Sequence, residues 1–79
     1  MPQQTWFISG ASKGFVEATL RRGDKVAAAA LETAPLTRLA ARYGDNLLSM
    51  RADPADAAAV DAARARAEEH FGRLDVVMA

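Results

Sequence analysis

The sequence predicts an α/β fold, one half of a doubly wound parallel sheet in the order β-α-β-α-β-α-β. Three observations predict it. The short apolar runs TWFIS, KVAAAA, NLLSMR and LDVVM alternate with stretches of helical periodicity. A glycine or an Asp-Pro pair marks nearly every switch from one kind of element to the other. The chain has only 79 residues, so its connections are short and residues 1–79 make one small domain.

Each element has a local reason. Thr5 to Ser9 is β-branched, aromatic and apolar and runs into Gly10, which predicts a buried strand. Phe15 to Arg22 is predicted helical, with Val16 and Leu20 on one face and Gly23 as its stop. In KVAAAAL two signals conflict. Four alanines favour a helix by propensity, but Pro35 would interrupt one that continued toward Leu39. The alternation of elements favours a strand from Lys25 to Ala30. Thr33 is the candidate N-cap of the next helix, with Pro35 tolerated in its first turn. Leu36, Leu39, Ala40 and Tyr43 form the apolar stripe of that helix, and Gly44 ends it. Asn46 to Arg51 is the third expected strand, broken by Asp53-Pro54. Asp56 is placed to cap a helix from Ala57 to Phe71, whose Val60, Ala63, Ala67 and Phe71 share one face. Gly72 ends that helix, and Leu74 to Met78 is the fourth strand.

Composition narrows the function classes. Ten Lys and Arg balance ten Asp and Glu, and the basic residues are scattered. No excess charge therefore points to nucleic acid or to an anionic membrane. The absence of cysteine excludes disulfides and thiolate metal sites. The longest apolar run, Val26 to Leu31, is far short of the ~20 residues that cross a bilayer. MPQQTWF carries no basic region ahead of a long apolar stretch, so it does not read as a secretory signal. A cytoplasmic protein is expected.

The stretch FISGASKGFVEATL carries the chemistry. Gly10 permits a tight turn, and the missing side chain at Gly14 lets backbone approach a phosphate closely. The helix start that follows aims free N–H groups and a partial positive charge at the same place. Ser9, Ser12 and Lys13 add donors and a charge. A plain strand-to-helix turn is the competing reading of two glycines alone. His70, Trp6 and Tyr43 read as solvated or packing residues rather than as catalysts. No metal site is expected.

On these residues the chain resembles the N-terminal, cofactor-binding half of the short-chain dehydrogenases/reductases, a Rossmann-like fold. WFISGASKGF resembles that family's strand and its Thr-Gly-x-x-x-Gly-x-Gly loop, RADPAD its adenine-contacting Asp segment, and HFGRLDVVMA the approach to its Asn-Asn-Ala-Gly segment. The resemblance implies an NAD(P)-dependent oxidoreductase with Gly10, Ser12, Lys13, Gly14 and Asp53 at the dinucleotide. It also marks departures. Val16 stands where the family has a third glycine, and the first helix is about one turn shorter than is usual. Ala30 and Leu31 stand where relatives carry the acid or base that selects NAD or NADP, so either cofactor is open.

The family's chemistry uses a Ser and a Tyr-x-x-x-Lys pair. Here the single tyrosine, Tyr43, is followed by Gly-Asp-Asn-Leu. The resemblance therefore implies a truncated segment with no catalytic residues of its own. The alternative is a small non-catalytic α/β module that associates with itself or a complementary chain. The open apolar edge of residues 74–78 is the surface that would do so.

Overall fold

Lys25–Ala30 is a strand, and every one of its four alanines lies in the sheet. Tertiary pairing outweighs helix propensity here because the run is hydrogen-bonded on both sides. The computed structural model describes residues 2–10 and 13–78. Along the chain they form β1 (Thr5–Ser9), α1 (Lys13–Arg21), β2 (Lys25–Ala30), α2 (Ala34–Tyr43), a 3-10 turn (Gly44–Asn46), β3 (Leu47–Arg51), α3 (Ala57–Phe71) and β4 (Val76–Met78). The sheet order is β3-β2-β1-β4 and every pair is parallel. The predicted partial Rossmann-like α/β order is the order observed.

The strand period of two divides the core into two layers. Ile8, Val26, Ala28 and Leu47 face α1 and α2, where they meet Val16, Leu20, Leu36 and Leu39. Phe7, Ala27, Ala29 and Met50 face α3, where they meet Ala63 and Ala67. The second layer is thin. Ala27 and Ala67 are fully buried, so helix backbone approaches strand backbone with only methyl groups between them. Val60 and Phe71 flank this layer, as the helical stripe predicts.

Several boundaries differ from expectation for local reasons. The first helix starts at Lys13, two residues earlier than the apolar pattern suggests. Thr33 occupies the N-cap position of α2 but makes no side-chain cap, with φ −99° and ψ −10°. Pro35 sits in the first turn and has no N–H to donate to the Thr33 hydroxyl, and the Leu36 N–H donates to the Thr33 carbonyl instead. Asn46 falls in the 3-10 turn, so β3 begins at Leu47. Asp56 caps α3 as expected, accepting from the N–H groups of Ala58 and Ala59.

The fourth strand is shorter than LDVVM suggests, because Asp75 has another task. Its backbone N–H donates to the Thr5 carbonyl at 2.8 Å, and its carboxylate accepts from the Thr5 N–H at 2.8 Å. Asp24 does the same from the other side of β1. Its carboxylate accepts from the Gln4 N–H and from the Trp6 indole N–H, each at 3.1 Å. Both aspartates follow an arginine by two residues, and both pair with it: Arg22 with Asp24 and Arg73 with Asp75. Two R-x-D segments thus grip the start of the central strand. Trp6 is accordingly a packing residue, edge-on to Phe15 with centroids 6.3 Å apart.

The Thr5 N–H, and then the Arg73 guanidinium, hold the Asp75 carboxyl below the usual aspartate range. A carboxyl depressed in the folded state stabilises the fold above its unfolded pKa, about 3.9. That contribution is lost as pH falls through the lower folded value. Asp75→Asn should therefore flatten the acid limb of stability. Urea midpoints measured between about pH 5 and about pH 2 should fall less steeply in the variant than in the parent. Parallel slopes would contradict the assignment.

Candidate functional site

The site lies where β1 leaves the sheet. From β1 the chain winds outward through β2 to β3, then crosses back to place β4 on the other side of β1. The strand order reverses at β1, and the crevice outside the carboxyl ends of the strands at such a reversal is where open parallel sheets bind ligands. Gly10 is the first residue beyond β1. Its φ is +70°, a conformation that favours glycine. Its N–H donates to the Ala29 carbonyl of β2 at 2.9 Å. A Cβ placed there would meet Pro54 Cγ at 3.4 Å and Cβ at 3.5 Å. The turn after β1 is thus pinned by the neighbouring strand and backed by the turn after β3.

Lys13 and Gly14 are the first two described residues of α1, and both are exposed. A Cβ at Gly14 would have no heavy atom of the described residues within 4 Å, so nothing among them requires glycine there. Open space beside a helix N-terminus is what a phosphate needs. Ser12, also expected at the site, lies outside the described residues. Val16 is fully buried among Ile8, Val26 and Leu36, so the position where a third glycine was expected serves the core.

Asp53 stands beyond β3 in an exposed turn. One carboxylate oxygen accepts from the Ala55 N–H at 2.9 Å, and its backbone carbonyl accepts from the Asp56 N–H at 2.9 Å. The second carboxylate oxygen has no partner among the described residues and is open to solvent. Through Pro54, Gly10 and Asp53 belong to one surface. That contact was not legible in the sequence, since 44 positions separate Gly10 from Pro54 (54 minus 10). Leu31, just past β2, is 52% exposed on the same end of the sheet. His70 is exposed near the far end of α3 and takes no part.

Among the described residues no group of three or more His, Cys, Asp or Glu is placed to hold a metal ion. No helix among them is long and apolar enough to cross a membrane.

These features define a segment of a parallel α/β fold with a glycine turn where the strand order reverses, and comparison with known proteins shows what it resembles. No family model matches the chain. An oxidoreductase of Botryotinia fuckeliana, BOA17, is 37% identical over 78 residues, which is 92% of this chain and 28% of that protein. A short-chain dehydrogenase from Streptomyces avermitilis superposes with a TM-score of 0.83 at 29% identity, over 96% of this chain and 30% of its own length. A 3-ketoacyl-(acyl-carrier-protein) reductase from Brucella melitensis, solved in complex with NADH, superposes with a TM-score of 0.81 at 31% identity, over 94% of this chain and 32% of its own. By sequence and by fold the chain is similar to one segment of the short-chain dehydrogenases/reductases. It spans about 30% of the length of the relatives it matches.

The two glycines separate by their physics. Gly10→Ala should destabilise the fold by about 1–2 kcal/mol, because an L-residue is forced to positive φ. Gly14→Ala should stabilise it by about 0.5–1 kcal/mol, through helix propensity alone. Denaturant midpoints decide this, and equal effects at the two positions would contradict the geometry.

Proposed function

We propose that the chain forms the dinucleotide-binding part of an NAD(P)-dependent oxidoreductase. The observation that carries this reading is Gly10, held at φ +70° against Ala29 and Pro54 at the point where the strand order reverses. A pyrophosphate seated there lies against the start of α1, where the helix dipole favours an anion. Gly14 leaves room for it, while Ser12 and Lys13 supply a hydroxyl and a cation. Asp53 accepts from the amino group of the adenine. The bound nicotinamide would supply or accept hydride.

The binding residues are present in these 79 residues, and the reacting ones are not. Tyr43, the single tyrosine, packs against the α1–α2 side of the core and has no lysine four positions on. The proton donor to substrate therefore has to come from residues beyond these. The relation to an NADH-bound reductase supports a nicotinamide dinucleotide in general. Leu31 provides neither a carboxylate for ribose hydroxyls nor a cation for a 2′-phosphate, so NADH and NADPH are both candidates.

A second reading has its own observation. On β4, at the edge of the sheet, Val77 is 56% and Met78 37% exposed. We infer that this edge pairs with further protein, either a second copy or a complementary chain. Sedimentation of the chain across a concentration series tests it, since a monomer throughout would remove self-association.

An amide-resolved NMR titration with NADH and with NADPH tests the binding reading. The Gly10 and Gly14 amides should shift saturably with at least one of the two. Gly14→Ala, although more stable, should bind at least several-fold more weakly because its methyl fills the phosphate space. Dispersed peaks that ignore both dinucleotides would overturn the proposal.

A further inference from the structure

At the opposite edge of the sheet from β4 lies β3, which pairs with β2 alone among the described residues. Just past its end, the Ala52 N–H donates to the Ala30 carbonyl of β2. Backbone groups alternate in direction along a strand. Leu48 and Met50 therefore turn theirs toward β2, while Ser49 and Arg51 turn N–H and C=O outward. These outward groups are a template for one more strand.

Beside this edge, α3 presents small side chains. Ala59, Ala62 and Ala63 line a groove against Met50 and Arg51, with Arg66 on its border. Arg66 also lines the continuation of that groove past Leu48, where Glu69 and His70 stand. Leu48 and Met50 give it an apolar side, since both pack toward α3. Its charge is uneven. No acidic residue lines the end at Met50 and Arg51. Arg51 and Arg66 are exposed, and neither forms an ion pair with another described residue. Arg21, Arg22, Arg64 and Arg73, by contrast, each pair with a carboxylate.

We propose that the β3 edge and its groove receive an extended acidic segment of a partner protein, added to the sheet as a further strand. The backbone of Ser49 and Arg51 supplies the ladder bonds. Alternate apolar side chains of the segment lie beside Leu48 and Met50, and its carboxylates meet Arg51 and Arg66. The cations set the sign of the partner. A second copy of β3 in parallel register would oppose Arg51 to Arg51, which is unfavourable. The other edge offers no such selection, because β4 is only Val76, Val77 and Met78. The groove needs no dinucleotide, so this inference goes beyond the reading given above.

The test is an NMR titration of the unaltered 79-residue chain, without dinucleotide, with two short capped peptides. Both alternate valine and threonine; one ends in two glutamates and the other in two glutamines. The glutamate peptide should shift the Ser49 and Arg51 amides saturably and slow their exchange. In about 0.01 M salt the glutamine peptide should bind about three- to tenfold more weakly, and in about 1 M salt the difference should vanish. The double variant Arg51→Gln, Arg66→Gln should bind the two peptides equally. Equal binding by the unaltered chain in low salt, no binding of either peptide, or shifts confined to Val76–Met78 would each overturn the inference. Should the double variant unfold, the two peptides on the unaltered chain decide alone. None of these outcomes bears on the dinucleotide reading.

Discussion

The structure depends on how the central strand is held at both ends. At its start, β1 is gripped by Asp24 on the β2 side and by Asp75 on the β4 side, each carboxylate taking a backbone N–H. At its exit, the Gly10 N–H is taken by Ala29 of β2. A parallel strand slipped by one residue turns every side chain to the wrong face. With both ends fixed, Phe7 and Ile8 point into opposite layers of the core, and the turn that follows is set by the sheet rather than by a ligand. The proposed site in the crevice above β1 rests on that prior placement.

Around that strand the two layers follow different packing strategies. The α1–α2 layer uses branched side chains of ordinary size. The α3 layer uses Phe7 and Met50 set among small residues, so contact comes from close approach of backbones. The alanines of β2 are therefore architectural. Propensity alone would make them a helix, but their methyl groups let α3 lie close across the sheet. β4 lies at the edge of the sheet, and its Val77 and Met78 are exposed there.

Much of the fold was legible in the sequence because it rests on short-range signals. Gly23, Gly44 and Gly72 mark helix ends, and Asp56 announces the start of α3. Against the helix that four alanines favour, Pro35 interrupts a run toward Leu39 and the alternation of elements favours the strand that is observed. What escaped was long-range. The Asp24 and Asp75 contacts with the start of β1 span 20 and 70 positions, and an R-x-D segment carries no local sign of its partner. Thr33 was misread as a capping side chain because the effect of Pro35 on the cap lies in a missing N–H, not in a preference. At the site, Gly10 and Asp53 were legible one by one from the family pattern. Their union through Pro54 required the register β3-β2-β1, which no local pattern encodes.

The most direct test of the account is native-state hydrogen exchange at Gly10. A loop amide beyond the end of a strand would ordinarily exchange freely. If the exit of β1 is pinned by the bond to Ala29, the Gly10 amide should exchange about as slowly as the amides inside β1, within roughly tenfold, in the absence of any dinucleotide. A Gly10 amide that exchanges at the unprotected rate, while β1 and β2 stay protected, would contradict it. The turn would then be shaped by its ligand, and the sheet would not have built the site in advance.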